Sequence, residues 1–319
     1  MLSPNVIANL MLESLLLLFA FIAFIIAWQI VLKWDKSATT PLQYSLEKRS
    51  YLVATIVEFI FWLKLPLFFY FIYTLDILSN VLPGAMCAAG VTTATAYGIW
   101  LFVVKILNLY LFGLWIVLNR IDRSRPDTPW TKQKFLLFLL IFPLFALEVG
   151  LEYLHFSGIN PHVIVSCCGT LFSAVAHTPV AMAIRLPAAL QLSLFYGTFF
   201  LVVVAAWKRW SLLTAALNAL FLPVAVLSLI AFFSTYIYEL PHHHCPFCLL
   251  QRDYHYIGYI LYAALFLGTF FGIASYVAKR LGYEAWKRWL NWSLIGDTLY
   301  LVLVSYYPIS FYIKNGVWL

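Results

Sequence analysis

Charge is what this sequence has least of. Only 20 Lys and Arg and 13 Asp and Glu stand among 319 residues, a charged fraction of 10%, against the roughly 25% of an ordinary soluble domain. Hydrophobic residues make up 64% and the mean hydropathy is +0.89. So little charge cannot clothe a water-facing surface, which excludes a soluble globular chain. A long polar linker is also lacking: the longest, Asn119 to Lys134, is too short to be a domain, and no repeat or low-complexity tract interrupts the chain. A single membrane domain over residues 1–319 is the expectation. The first apolar stretch has no basic segment before it and, at about 25 residues, exceeds the h-region of a secretory signal, so it reads as a span.

Lipid offers backbone groups no hydrogen bonds, so a spanning segment must pair its own, which takes about 20 apolar residues of helix. Stretches of that kind lie near 8–32, 50–78, 97–118, 135–155, 187–207, 212–238, 254–278 and 291–312. The expected fold is all-α, a polytopic bundle of about eight transmembrane helices. Cations gather in alternate loops. Lys33, Lys36, Lys48 and Arg49 follow the first span; Arg120, Arg123, Arg125, Lys132 and Lys134 the third; Lys208 and Arg209 the fifth; Lys279, Arg280, Lys287 and Arg288 the seventh. The other loops hold only Arg185 and Arg252. Because short cytoplasmic loops collect Lys and Arg, both termini are expected to be non-cytoplasmic. The net charge of +7 is thereby explained by topology and gives no reason to invoke nucleic acid.

Five cysteines remain, and in this topology all lie outside the cytoplasm: Cys87 after the second span, Cys167 and Cys168 after the fourth, Cys245 and Cys248 after the sixth. An oxidising compartment is where thiols cycle as disulfides, which points to a periplasmic face of a bacterial inner membrane. The sharpest motif is His242-His243-His244-Cys245-Pro246-Phe247-Cys248-Leu249-Leu250-Gln251-Arg252. If the Cys-x-x-Cys opens the seventh helix, the helix dipole and Arg252 both favour thiolate. A structural disulfide is the bland alternative. A metal site is another, since His242, His243, His244, Cys245 and Cys248 form a ligand mixture that Cu or Zn accepts. Haem is disfavoured because none of the histidines, which include His155, His162, His177 and His255, sits deep in a span.

The run Cys245-Pro246-Phe247-Cys248-Leu249-Leu250-Gln251-Arg252 resembles the Cys-x-x-Cys-x-x-Gln/Glu-Arg segment of the bacterial disulfide-forming membrane oxidase DsbB. The order of parts resembles that of vitamin K epoxide reductase, with a loop cysteine pair after one helix and a Cys-x-x-Cys opening the fourth. Helices four to seven, about 135–278, follow that order, which implies a four-helix redox core. The resemblance implies Cys245 and Cys248 as the pair beside a quinone, Arg252 with Gln251 at the quinone, and Cys167 and Cys168 as the pair that meets a periplasmic thioredoxin-like partner. It gives Cys87 no role, has no counterpart for helices one to three and eight, and spaces its loop cysteines where Cys167 and Cys168 are adjacent. Adjacent cysteines close only a strained eight-membered ring.

Charges within spans are the other signal, since each costs roughly 2.5–3.5 kcal/mol on insertion scales unless paired. Glu58, Lys64, Lys105, Glu148, Glu152 and Asp297 qualify. Glu148 and Glu152 are one turn apart on one face, with Lys105 at comparable depth. A structural ion pair joining the third and fourth helices is one reading; a proton route is the other. Most aromatics near span ends, such as Tyr254, Tyr256, Tyr259, Trp286, Trp289 and Trp292, are interfacial anchors. Three function classes follow: a quinone-linked thiol–disulfide oxidoreductase, a Cu- or Zn-handling membrane protein, or a non-catalytic subunit of a larger membrane complex.

Overall fold

The computed structural model describes residues 3–35, 38–165 and 179–319. Among them there is no strand. Eight helices are long and apolar enough to cross a membrane: α1 Pro4–Lys33, α2 Pro41–Ser79, α3 Gly98–Arg123, α4 Thr131–Gly158, α5 Ala188–Trp207, α6 Ser211–Tyr238, α7 Ile257–Arg280 and α8 Trp286–Asn315. Each expected span has its helix. Leu18, Phe59, Trp62, Leu140, Phe200, Leu201 and Val302 stand exposed on their outer faces, as an apolar solvent permits and water does not. The protein is an integral membrane bundle in contact with lipid.

Local sequence sets the helix ends. Ser3 caps α1, its Oγ accepting from Val6 N at 3.3 Å, and Pro4 occupies the first turn, where no N–H is needed. Thr40 and Pro41 repeat the arrangement at α2. Prolines inside α2, α4, α6 and α8 (Pro66, Pro143, Pro223, Pro308) remove ladder bonds. In α6 a π-turn over Leu229–Phe233 follows, and Ser234 Oγ bonds back to Ile230 O at 2.9 Å. The turn changes the phase of the last stretch, Ser234–Tyr238, which carries Tyr236 and Tyr238 inward.

The chain forms two compact units. Unit 1 is Met1–Pro83 with Val91–Val163, and in it α4 packs on α1 and α3 while α2 packs on α1 and α3. Unit 2 is Gly84–Gly90 with Ile164–Leu319, where α7 packs on α6 and α8 and α5 closes the ring against both. Sequence order had joined the fourth span to the fifth through seventh. Instead α4 goes with α1 to α3, because its buried Glu148 and Glu152 find their cations and amides there, and α8 completes the second bundle. Gly268 of α7 and Gly296 of α8 bring those helices close: a Cβ on Gly296 would strike the Gly268 backbone, the close approach that small residues allow in lipid. The segment Gly84–Gly90, which joins α2 to α3 in sequence, belongs to the core of unit 2, with Cys87 and Ala89 buried there.

Candidate functional site

Three sulfurs meet in unit 2. Cys87 and Cys245 are fully buried and Cys248 nearly so. Their Sγ atoms all lie within 4.8 Å of one another, and Cys87 Sγ is 3.4 Å from Cys245 Sγ. A bonded pair would be about 2.05 Å apart. The segment that delivers Cys87 enters through Gly84, at φ +85, a left-handed turn that suits glycine. It is tied down by Gln251, whose Nε2 donates to Met86 O at 3.2 Å. The other two sulfurs sit in the connection between α6 and α7, and tyrosines hold it: Tyr238 OH donates to Cys245 O, and Tyr262 OH to Pro246 O at 2.6 Å. The three cysteines belong to the hydrophobic core of unit 2, against which Phe247, Tyr254, Ile257 and Tyr262 also pack.

The Cys-x-x-Cys does not open α7. Two 3-10 turns, Cys248–Leu250 and Arg252–Tyr254, intervene, and His255 and Tyr256 both take left-handed backbone, so the α-helix begins only at Ile257. A helix dipole therefore does not act on these thiols. Arg252 is exposed on the second turn, and Gln251, expected beside a quinone, is bonded to the Cys87 segment. Burial pushes the Tyr254 hydroxyl up, with Cys248, Asp253 and Cys245 adding to it, which leaves it protonated as a donor.

Among the described residues no histidine joins the three sulfurs as a ligand set. His242 is exposed. His244 places Nδ1 at 2.9 Å from Ile230 O. His243 stands edge-on to Tyr238, ring centroids 4.4 Å apart, with a buried Nε2 that has no partner. Burial holds both His243 and His244 below the ordinary imidazole value, partly offset by Cys87 for His243 and by the Ile230 carbonyl for His244. Both are neutral bases near the thiols at neutral pH. Cys167, Cys168 and His177 lie outside the described residues. His155 and His162 belong to unit 1.

A second polar centre occupies unit 1. Lys64 Nζ is 2.7 Å from both Glu13 oxygens and 2.6 Å from Glu148 Oε1. Lys105 Nζ is 3.1 Å from Glu13 Oε1 and 2.8 Å from both Glu148 Oε1 and Glu152 Oε2. Asn108 Nδ2 donates to Glu148 Oε2 at 2.6 Å, and Asn9 Nδ2 to Glu152 Oε1. All seven side chains are buried. The expected joint between α3 and α4 is there, but it is a network that also takes in α1 and α2. Glu58 pairs with Arg123 at 3.1 Å, half exposed. Asp297 accepts from Ser293 at 3.3 Å and leaves Oδ1 without a partner.

Sequence reasoning missed Cys87 as a site residue, and missed Glu13, Asn9 and Asn108. Glu13 carried a signal, an acid inside an apolar run. The asparagines carried none beyond being polar in a span.

Comparison with protein-family models, with curated proteins and with solved structures finds no match to the chain.

Proposed function

We propose that unit 2 is a membrane thiol–disulfide oxidoreductase that moves electron pairs between a thioredoxin-like protein outside the cytoplasm and a lipid-soluble quinone. The observation that carries this reading is the third sulfur, Cys87 Sγ at 3.4 Å from Cys245 Sγ beside the Cys245/Cys248 pair. Thiol–disulfide exchange needs an attacking, a central and a leaving sulfur together. Cys245 is the central atom, within a shift of about 1.4 Å of bonding Cys87, given a disulfide length near 2.05 Å. The electrons balance without further reagents. A partner dithiol gives two electrons and two protons to the disulfide of this chain and leaves as a disulfide, and the dithiol formed here then returns to disulfide as quinone becomes quinol; the reverse sequence reduces the partner. Cys167 and Cys168 are the pair assigned to the partner.

The quinone rests on the likeness of Cys245–Arg252 to the DsbB segment. The aromatic side chains of the core that holds the sulfurs suit a ring, and Arg252 and the Tyr254 hydroxyl are donors that a carbonyl oxygen could use. When bound, a quinone supplies a two-electron, two-proton acceptor. His243 and His244, neutral and beside the thiols, are the bases for the protons released as Cys245 is deprotonated. The sidedness has support from unit 2 itself: Lys208, Arg209, Lys279, Arg280, Lys287 and Arg288 all lie at the bundle end opposite the cysteines.

The test is to reduce the purified protein, remove reductant, add a short-chain quinone and follow quinol formation with thiol loss. Two thiols should disappear per quinone reduced, and Cys245→Ser should slow the reaction at least tenfold. Full-rate turnover in Cys245→Ser, or no thiol loss in the wild type, sinks the reading. A second reading has one observation in its favour. Three buried sulfurs within 4.8 Å bracket the spacing of about 4 Å that thiolates take around Cu or Zn at 2.3 Å. One metal ion per chain surviving purification, lost in Cys87→Ser and accompanied by no quinone turnover, would establish it.

A further inference from the structure

The centre of unit 1 has an odd charge. Glu13, Glu148 and Glu152 meet Lys64 and Lys105, three carboxylates against two ammoniums, in a place where every partner is buried. One negative charge is left over, and an uncompensated charge is what a low-dielectric interior tolerates least.

The geometry says which carboxylate is short of compensation. Glu13 touches both ammoniums, and Glu148 touches both and accepts from Asn108 as well. Glu152 has Lys105 alone, 2.8 Å from Oε2 but without hydrogen-bond alignment, and Asn9 at Oε1. Asn9 is the independent sign. It is fully buried, its carboxamide is aimed at Glu152, and its Oδ1 has no donor. A carboxamide has the same shape with its two ends exchanged. Nδ2 toward Glu152 serves a carboxylate; Oδ1 toward it accepts from the O–H of the neutral acid.

We propose that this cluster is a proton-binding site, with a single exchangeable proton on Glu152 shared with Asn9. The groups facing Glu152 are Asn9 and Glu13 from α1 and Lys105 from α3. Lys64 of α2 acts through Glu13 and Glu148. On its own helix, Glu148 lies one turn back, and His155, its Nδ1 2.6 Å from Thr95 Oγ1, one turn on. A divalent metal does not fit among these carboxylates, because Lys64 and Lys105 already occupy their oxygens and would repel it. The site makes unit 1 an acid–base centre inside the membrane, a function separate from the thiol chemistry of unit 2.

The test is infrared titration of the full chain in lipid, in H2O and D2O, on an Asp297→Asn background that removes the other buried carboxyl with an oxygen that accepts no hydrogen bond. A protonated-carboxyl C=O band that shifts in D2O, titrates with pH and amounts to one group per chain is the expected result. Glu152→Gln should abolish it and Glu58→Gln should leave it. No such band at any pH overturns the proposal, as does a band of full intensity in Glu152→Gln. A band that appears only when Na+ is withdrawn also overturns it, since the site then holds a metal cation. If Glu152→Gln does not fold, presence or absence of the titrating band in the parent decides. None of these readouts involves a thiol, so the outcome is independent of the oxidoreductase reading.

Discussion

Unit 1 and unit 2 are each a ring of four spans, yet they use their few polar residues in different ways. Unit 1 buries full charges and satisfies nearly all of them with one another: Glu13, Lys64, Lys105 and Glu148 are bound by short ion pairs from four helices. Unit 2 buries thiols, which cost little to remove from water, and tyrosine hydroxyls that donate to backbone carbonyls. Unit 1 thus joins its four helices through charge, whereas unit 2 sets its three sulfurs within an apolar core. An ion network in lipid couples every helix that contributes to it, because removing one partner strands the rest.

The sharpest way to break that contrast is Lys105→Met. It strands two negative charges among Glu13, Glu148 and Glu152, and removing one partner of a buried pair costs about 3–5 kcal/mol. Thermal unfolding in detergent should show the largest loss of any variant discussed, and Lys105→Met with Glu152→Gln should recover part of it. An unchanged midpoint in the single variant would show that the network does not hold unit 1. Gly296→Val tests unit 2 in kind. The new side chain meets the Gly268 backbone and the Ala264 carbonyl, which cannot give way, so α7 and α8 must part at about 1–3 kcal/mol. Limited proteolysis of the 281–285 connection should quicken, and resistance equal to wild type would place the close approach elsewhere. Cys87→Ser is next. It should destabilise by about 1–2 kcal/mol, since a hydroxyl replaces a thiol at a fully buried apolar site, while quinone-linked thiol turnover falls about tenfold or more. Equal turnover in Cys87→Ser would remove the third sulfur from the mechanism.

The eight spans were legible because lipid imposes one rule on every residue of a span, and a rule that acts locally leaves a local trace. Their ends were less so. The Cys-x-x-Cys looked like the opening of a helix, but His255 and Tyr256 in left-handed backbone delay α7 to Ile257, and nothing in a His-Tyr pair announces that. Lys105, Glu148 and Glu152 could be matched because a charge in a span must find its opposite. Glu13 lies 51 residues from Lys64 and 92 from Lys105, and only packing joins them. Cys87 is the extreme case: 158 residues separate it from Cys245, and the 84–90 segment leaves the unit formed by the helices on either side of it. Spacing in sequence carries no information about such a meeting. The expected pairing with Cys167 and Cys168 concerns residues outside those described.

The smallest expected effect separates the two centres by pH. His243 and His244 are held below the ordinary imidazole value, chiefly by burial, so the folded connection between α6 and α7 prefers them neutral. Their contribution to stability is in full force above the unfolded value of about 6.5 and fades as pH falls toward the lowered folded values, where each ring must take up a charge in a half-buried place. Hydrogen exchange over residues 239–256, corrected for the intrinsic pH dependence of the rate, should therefore show protection falling a few-fold between pH 7 and pH 5. The His243→Phe, His244→Leu double variant should be flat over that range, since neither replacement titrates and both keep apolar contact with Tyr238 and the π-turn. Protection that stays constant in the wild type, or still falls in the double variant, would mean that the thiol-bearing connection is held by its tyrosine hydrogen bonds alone and that the histidines are not its bases.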